Sequence, residues 1–337
     1  VTGAPKRLSR IVSLASAMTL GLAAIMPTST MAAAYASPQP PASHWITSTN
    51  YRYPGNDGKH HAVSWDKYSY MIDDHHLNIW SGEVHYWRLP SPHQWRDVLQ
   101  KMKAAGFNAV SFYFFWGYHQ SAPDSPFDFS GIRNIDLLLR MAAEEGLYVI
   151  ARPGPYINAE ISMGGMPAWQ TNSSLPLRNA WDNTNWQQQR AWLHAVNKII
   201  ARHQVTNGGG SVLLYQVENE ELASVGPYAD YVKKIIKAAK EDGINVPIFH
   251  NDYAPVGNWA FTTKDTGLDV YSYDDYPIRF DCSATRHKLQ DHNWHIDPAF
   301  RAAHHSPHFI AEAQGGAFTP WGASFNASAC EKFVDAN

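Results

Sequence analysis

The order of elements along this chain predicts an α/β fold, a (β/α)8 barrel that stops before its eighth strand. Three observations carry that expectation. Short, continuously apolar runs alternate with longer segments of helical periodicity, as parallel strands covered by helices require. The turn after the first strand, Ser81-Gly82-Glu83, lacks the glycine fingerprint of a doubly wound nucleotide fold. Seven strands fit into 337 residues with no linker between them, leaving about one βα unit after the seventh. An open barrel leaves two unpaired edges, so the chain is expected to be a fragment of a longer protein.

In chain order, Lys6, Arg7 and Arg10 precede an uncharged stretch from Ile11 to Met26, and Ala34-Tyr35-Ala36 follows. A basic start, an apolar middle and an Ala-x-Ala end predict a signal peptide over residues 1–36, and hence a secreted protein, extracellular or periplasmic. No later segment has the apolar length of a membrane helix, so no membrane contact is expected after cleavage. Residues 37–67 read as an irregular lead-in and residues 68–337 as the barrel. Tyr68 to Met71 and Leu77 to Trp80 read as short strands around an Asp73-Asp74 turn, the latter able to run on to His85. Pro92 to Ala105 reads as a helix with Trp95, Val98, Leu99 and Met102 on one face and Gly106 as its stop. Asn108 to Phe112 is a strand, Ile135 to Glu145 a helix ended by Gly146, and Leu147 to Ala151 a strand. Trp181 to His203 is a long helix burying Trp192, Val196, Ile199 and Ile200. Val212 to Val217 is a strand, Tyr228 to Lys240 a helix, and Val246 to His250, Leu268 to Tyr273 and Phe309 to Ala311 are strands.

A formal net charge of −3 gives no electrostatic reason to expect nucleic acid. The 13 Trp and 17 Tyr suit pockets as well as cores, because their rings stack on the apolar faces of sugars. Cys282 and Cys330 are too few for a disulfide scaffold, and an exported chain can join them in one bridge. The pairs His60-His61, His75-His76 and His304-His305 lack metal-ligand spacing, so no metal and no cofactor is expected.

What the strands end in points to chemistry. The first ends in Glu83 and His85, the second in Tyr113 and Trp116. The third opens into Arg152-Pro153-Gly154-Pro155-Tyr156-Ile157-Asn158-Ala159-Glu160. The fourth ends in Glu218-Asn219-Glu220, the sixth near Tyr276 and the seventh in Glu312. Barrel active sites sit at the C-terminal ends of the strands. Carboxylates, amides and aromatics there suit glycoside hydrolysis, in which one acid protonates the leaving oxygen and a second carboxylate attacks or activates water. Spacing alone leaves Glu218 and Glu220 both open as the acid, since strand residues two apart share a face.

Several of these motifs resemble those of family 35 β-galactosidases, the large secreted fungal-type enzymes. They are Ser81 to His85, Ala151 to Glu160 followed by Gly164 to Trp169, Asn207-Gly208-Gly209 leading into Tyr215 to Glu220, Asp275-Tyr276-Pro277, Phe280-Asp281-Cys282, and Ala311 to Phe318. The resemblance covers roughly Tyr68 to Cys330. It implies a retaining exo-β-galactosidase acting on terminal galactose of β-galactoside oligosaccharides or polysaccharides, with Glu220 as acid/base and Glu312 as nucleophile. It further implies that Tyr113, Asn158, Ala159, Glu160 and Asn219 bind the galactose hydroxyls, that Tyr276 stands near the nucleophile, and that Cys282 and Cys330 form a disulfide. Retention places the two carboxyl groups about 5 to 5.5 Å apart. Two neighbours depart from the family: Ala313 replaces an aromatic after the nucleophile, and Glu221 replaces a Tyr after the acid. Against the family's pattern, the eighth strand and the C-terminal β-rich domains are expected to lie outside these 337 residues. An inactive galactose-binding remnant, or a retaining barrel glycosidase for another sugar, are the alternatives.

Overall fold

A computed structural model describes residues 57–172, 177–178, 180–222, 224–260, 263–276 and 305–313. The predicted signal peptide, Cys282, Cys330 and the motifs at 277–282 and 314–318 lie outside the described residues.

The described chain opens with a small antiparallel sheet of β1 (Val63–Trp65), β2 (Tyr70–Ile72) and β3 (His75–Leu77). Asp73 and Asp74 join β2 to β3 with φ of 50° and 64°, the left-handed pair that a two-residue hairpin turn requires. Asp73 also accepts from the Ala62 amide at 2.8 Å and from His61 at 2.6 Å, which ties β1 to the turn.

The main sheet has seven strands among the described residues, all parallel and in chain order: β4 (Ser81–Glu83), β5 (Ala109–Tyr113), β6 (Tyr148–Arg152), β7 (Val212–Gln216), β8 (Ile248–Asp252), β9 (Val270–Asp275) and β10 (Ile310–Ala313). Every residue of β5, β6, β7 and β8 is buried, as continuously apolar strands covered on both faces should be. The helices between them are α1 (Pro92–Ala104), α2 (Trp116–His119), α3 (Ile135–Glu144), α4 (Asn183–Ile200), α5 (Gly226–Glu241) and the short α6 (Thr263–Thr266). The described residues thus form seven successive strands of a (β/α) barrel architecture. Strand ends β4 and β10 both border one cleft of about 1090 Å³, without pairing to each other among the described residues.

Local chemistry explains the helix boundaries. The Ser91, Asn134 and Asp182 side chains accept from the first-turn amides of α1, α3 and α4, and Pro92 begins α1 where no amide donor is needed. Gly106 at φ +95° stops α1, as the sequence predicts. The expected strand from Leu77 toward His85 divides in two: His75–Leu77 pairs with β2, and Ser81–Glu83 pairs with β5. Between them Asn108 accepts from the Trp80 amide at 2.8 Å and donates to the Asn78 carbonyl at 2.6 Å, a side-chain splice where the ladder is broken.

Side chains alternate along each strand between the helices and the barrel interior. Tyr215 points out to α4, where it donates to Asn197 at 2.7 Å; Leu214 and Gln216 point in. Trp192 of α4 anchors the outer layer. It is fully buried, parallel to Trp116 at 6.3 Å, and donates to the Pro153 carbonyl at 3.0 Å. Trp116 therefore belongs to the core, although the sequence placed it among the polar strand ends.

Candidate active site

The C-terminal ends of β5 to β10, with the loops after β6 and β7, converge at one end of the sheet. Tyr113 ends β5 and Arg152 ends β6. The chain then passes a cis Gly154-Pro155 bond into Asn158, Ala159 and Glu160, whose φ values are 52°, 53° and 49°. After β7, Glu218 and Glu220 have φ of 59° and 50°. Among the described residues, five of the eight non-glycine positions with positive φ thus lie in these two loops. Each costs of order 1 to 3 kcal/mol and persists only where its surroundings hold it, as active sites do.

Glu312 receives the densest set of donors. Tyr113 and the Arg152 guanidinium both donate to its Oε1, and the Tyr276 hydroxyl donates to Oε2. Burial pushes this carboxyl up, but Arg152 and the three hydrogen bonds outweigh it, and the net shift is downward. Glu220 is placed differently. Its Oε2 accepts from the amides of Asn219 at 3.3 Å and Asn158 at 3.5 Å. Burial, reinforced by the nearby Glu312 charge, holds its carboxyl above the ordinary range. The pair therefore divides into one ionised carboxylate and one acid that keeps its proton longer, the pattern by which two carboxyls take separate roles.

A polar scaffold links the two. The Asn219 side-chain oxygen accepts from Arg152 at 2.9 Å, Gln216 at 3.2 Å and Tyr113 at 3.3 Å, which turns its amide nitrogen toward Glu220. Asn251, at the end of β8, accepts from Gln216 at 2.8 Å and from the Glu220 backbone amide at 3.3 Å, and donates to Asp274 at 2.7 Å. Asp274 is buried beside Glu312 and Glu220, and burial raises its carboxyl well above the usual range. Arg152 is 1% exposed; it also bonds Glu83 at 3.0 Å and lies 4.0 Å from the centre of the Tyr113 ring. Glu83 accepts in turn from His85 at 2.8 Å, and His85 accepts from Arg88 at 3.0 Å and stacks on Trp87.

Every site residue expected from the sequence and lying in the described chain is here. Tyr113, Asn158, Ala159, Glu160, Tyr276 and Glu312 line the 1090 Å³ cleft, and Asn219 and Glu220 bond to that set. Glu218 is set apart. Its strand ends at Gln216, so alternation no longer governs it, and its carboxylate is buried against Arg178 with Nε at 2.7 Å and Nη2 at 2.6 Å. Burial still raises it to about 7.

Arg152, Asn251, Asp274 and Arg178 were not expected as site residues. Arg152 had a signal: a cation at the end of the buried run Tyr-Val-Ile-Ala-Arg has to find carboxylates. Asn251 had a weaker one, since the fifth strand was the one strand end without an assigned polar residue. Among the described residues no group of three or more His, Cys, Asp or Glu is placed to hold a metal ion, and no helix is long and apolar enough to cross a membrane.

Comparison with known proteins agrees with this fold. The model of the family described as "Glycosyl hydrolases family 35" matches residues 69–336. "Probable beta-galactosidase C" of Aspergillus fumigatus is 40% identical over 282 residues, covering 80% of this chain and 28% of that protein. The protein of the same name from Sclerotinia sclerotiorum is 37% identical over 279 residues, again 80% of this chain and 28% of the relative. The chain thus spans a little over a quarter of the length of these relatives. Among solved structures, a Ruminococcus gnavus b-glucuronidase matches with a TM-score of 0.50 at 10% identity, over 82% of this chain and 43% of that one. A structure titled "Glycoside hydrolase" matches with a TM-score of 0.50 at 14% identity, over 77% and 57% of the respective chains. These two likenesses speak to the fold alone.

Proposed function

Because the chain belongs to glycosyl hydrolases family 35, we propose that it forms the catalytic barrel of a retaining exo-β-galactosidase, with Glu312 as nucleophile and Glu220 as acid/base. The observation that carries this reading is the opposite displacement of the two carboxyls within one hydrogen-bonded network. Ionised Glu312 attacks the anomeric carbon while the glycosidic C–O bond breaks, and the leaving oxygen takes the proton of Glu220. Once Glu312 is esterified its charge is gone, and with it one of the causes that raise Glu220. The lowered acid is then suited to take a proton from the incoming water, whose oxygen displaces Glu312 from the sugar. Tyr113, Asn158, Ala159, Glu160 and Asn219 hold the galactose hydroxyls in this scheme, and Tyr276 fixes the second oxygen of Glu312.

The substrate we propose is a terminal β-linked galactose on an oligosaccharide or polysaccharide; the relatives' names support galactose, and a net charge of −3 gives no electrostatic reason to expect nucleic acid. Secretion after signal cleavage near Ala36, a Cys282–Cys330 disulfide, and further β-rich domains supplying additional contacts belong to the same proposal. The test is turnover of a panel of aryl glycosides by the full-length protein. Cleavage of the β-galactoside above the other sugars, abolished in Glu312→Gln, is the expected result. Galactose binding without turnover would identify an inactive remnant, and full activity in Glu312→Gln would remove the nucleophile assignment.

A further inference from the structure

We propose that Arg178 is a positioning residue for the acid/base, clamping the turn Glu218-Asn219-Glu220 so that Glu220 meets the leaving-group oxygen; this rests on the acid/base role proposed above. The turn begins where β7 has ended, and both Glu218 and Glu220 have left-handed backbones that glutamate does not adopt without support. Arg178 supplies that support from outside the catalytic network. Its Nε and Nη2 grip the two oxygens of Glu218 at 2.7 and 2.6 Å, and Nη2 also donates to the Asn219 carbonyl at 2.6 Å. Glu218 passes the restraint on, because its Oε2 accepts from the Asn219 amide at 2.6 Å.

The residue after the acid is held by the same cation: the Glu221 carboxylate lies 3.4 Å from Arg178 Nε. Here the departure from the family aromatic acquires a role, as a second anionic anchor for the guanidinium. Arg178 is itself fixed. Its guanidinium lies 4.1 Å from the centre of the Tyr156 ring, and that ring packs onto Gly164 so closely that a Cβ there would stand 2.0 Å from it. A bidentate fork over an aromatic face is a fixture that lysine does not reproduce. Asn158 and Asn219, which bond the Glu220 carboxylate, then find it in a single place.

A residue that only stabilises the fold affects all substrates alike. One that positions a general acid affects those whose leaving group needs a proton. The experiment compares kcat/KM for phenyl and dinitrophenyl β-galactosides in full-length wild type, Arg178→Ala, Arg178→Lys and Glu220→Gln, with thermal melting alongside. General acid catalysis contributes about 100-fold or more, so Arg178→Ala is expected to lose about 100-fold on the phenyl substrate and less than about 5-fold on the dinitrophenyl one. Arg178→Lys should show the same selectivity at about 10-fold, and it serves as the readout if the alanine variant does not fold. Equal losses on both substrates, or no loss on either, in a folded Arg178→Lys variant overturn the inference. If Glu220→Gln itself shows no leaving-group selectivity, the acid assignment fails and takes this inference with it.

Discussion

Replacing Arg152 with Met removes the one cation that Glu312, Glu83 and the Asn219 amide oxygen share, while keeping the volume and the apolar stem. Because Arg152 is 1% exposed, the loss is that of a fully buried partner. Stranding a buried charge in this way costs about 3 to 5 kcal/mol, and at roughly 2 to 4 °C per kcal/mol for a domain of this size the melting temperature should fall by about 10 °C. The deficit should depend on pH with a definite sign. In the wild type Glu312 is held below its ordinary range, so its contribution is complete above that range and fades as pH falls through the depressed value. Without Arg152 the burial effect prevails, the carboxyl rises, and ionising it in the folded state becomes unfavourable. The difference between wild type and variant should therefore be widest near neutral pH and shrink as pH falls through the depressed value of Glu312, below which both bind the proton. The acidic limb of kcat/KM, which reports the ionised nucleophile of the free enzyme, should move to higher pH. Thermal melts at several pH values together with the pH–rate profile measure both. A deficit that is the same at neutral and acid pH, with an unmoved acidic limb, would refute the reasoning about Glu312.

Tyr276→Phe removes one hydrogen bond to the Glu312 carboxylate and leaves the ring in place. A bond to a charged group contributes about 1.5 to 3 kcal/mol to stability, so the melting temperature near neutral pH should fall by roughly 3 to 12 °C, and kcat on a β-galactoside should fall as the carboxylate loses its fixed orientation. Trp192→Ala empties the centre of the outer aromatic layer and frees the Pro153 carbonyl, at a cost of about 3 to 5 kcal/mol in denaturant unfolding. Galactose affinity of whatever fraction remains folded should be close to wild type, because Trp192 does not line the cleft.

The fold was legible because burial on both faces leaves strands as unbroken apolar runs: Val212 to Tyr215 and Tyr148 to Ala151 have no other reading once helices flank them. Most of the expected boundaries fall within about two residues of the observed ones, the end of the long helix (His203 expected, Ile200 observed) and the divided strand at Leu77 to Trp80 being exceptions, for a physical reason. Strand ends are where polar residues begin, and in a barrel those polar residues are the site. The first strand was harder, since Ser81-Gly82-Glu83 carries little apolar signal and is defined by pairing with Ala109 to Ser111. Val63–Trp65 was not read as a strand for the same reason; its partner β2 is what makes it one.

Within the site, the residues that touch the cleft could be named from motifs, whereas those that hold them could not. Arg178 and Glu218 meet across forty positions of sequence, and Asn251 reaches Glu220, Gln216 and Asp274 only because β7, β8 and β9 are neighbours. The period-two argument failed at Glu218 and Glu220 because it assumes an extended backbone, and these two residues are left-handed.

In the proposed mechanism Glu312 forms the bond to the sugar. The most direct test is to incubate the full-length protein with a fluorinated galactoside that forms the glycosyl-enzyme but hydrolyses slowly, and to locate the modified residue by peptide mass spectrometry. A single label on Glu312, and none in Glu312→Gln, is the expected result. A label on Glu220 or any other carboxylate, or turnover of β-galactosides with no residue labelled, would contradict the mechanism.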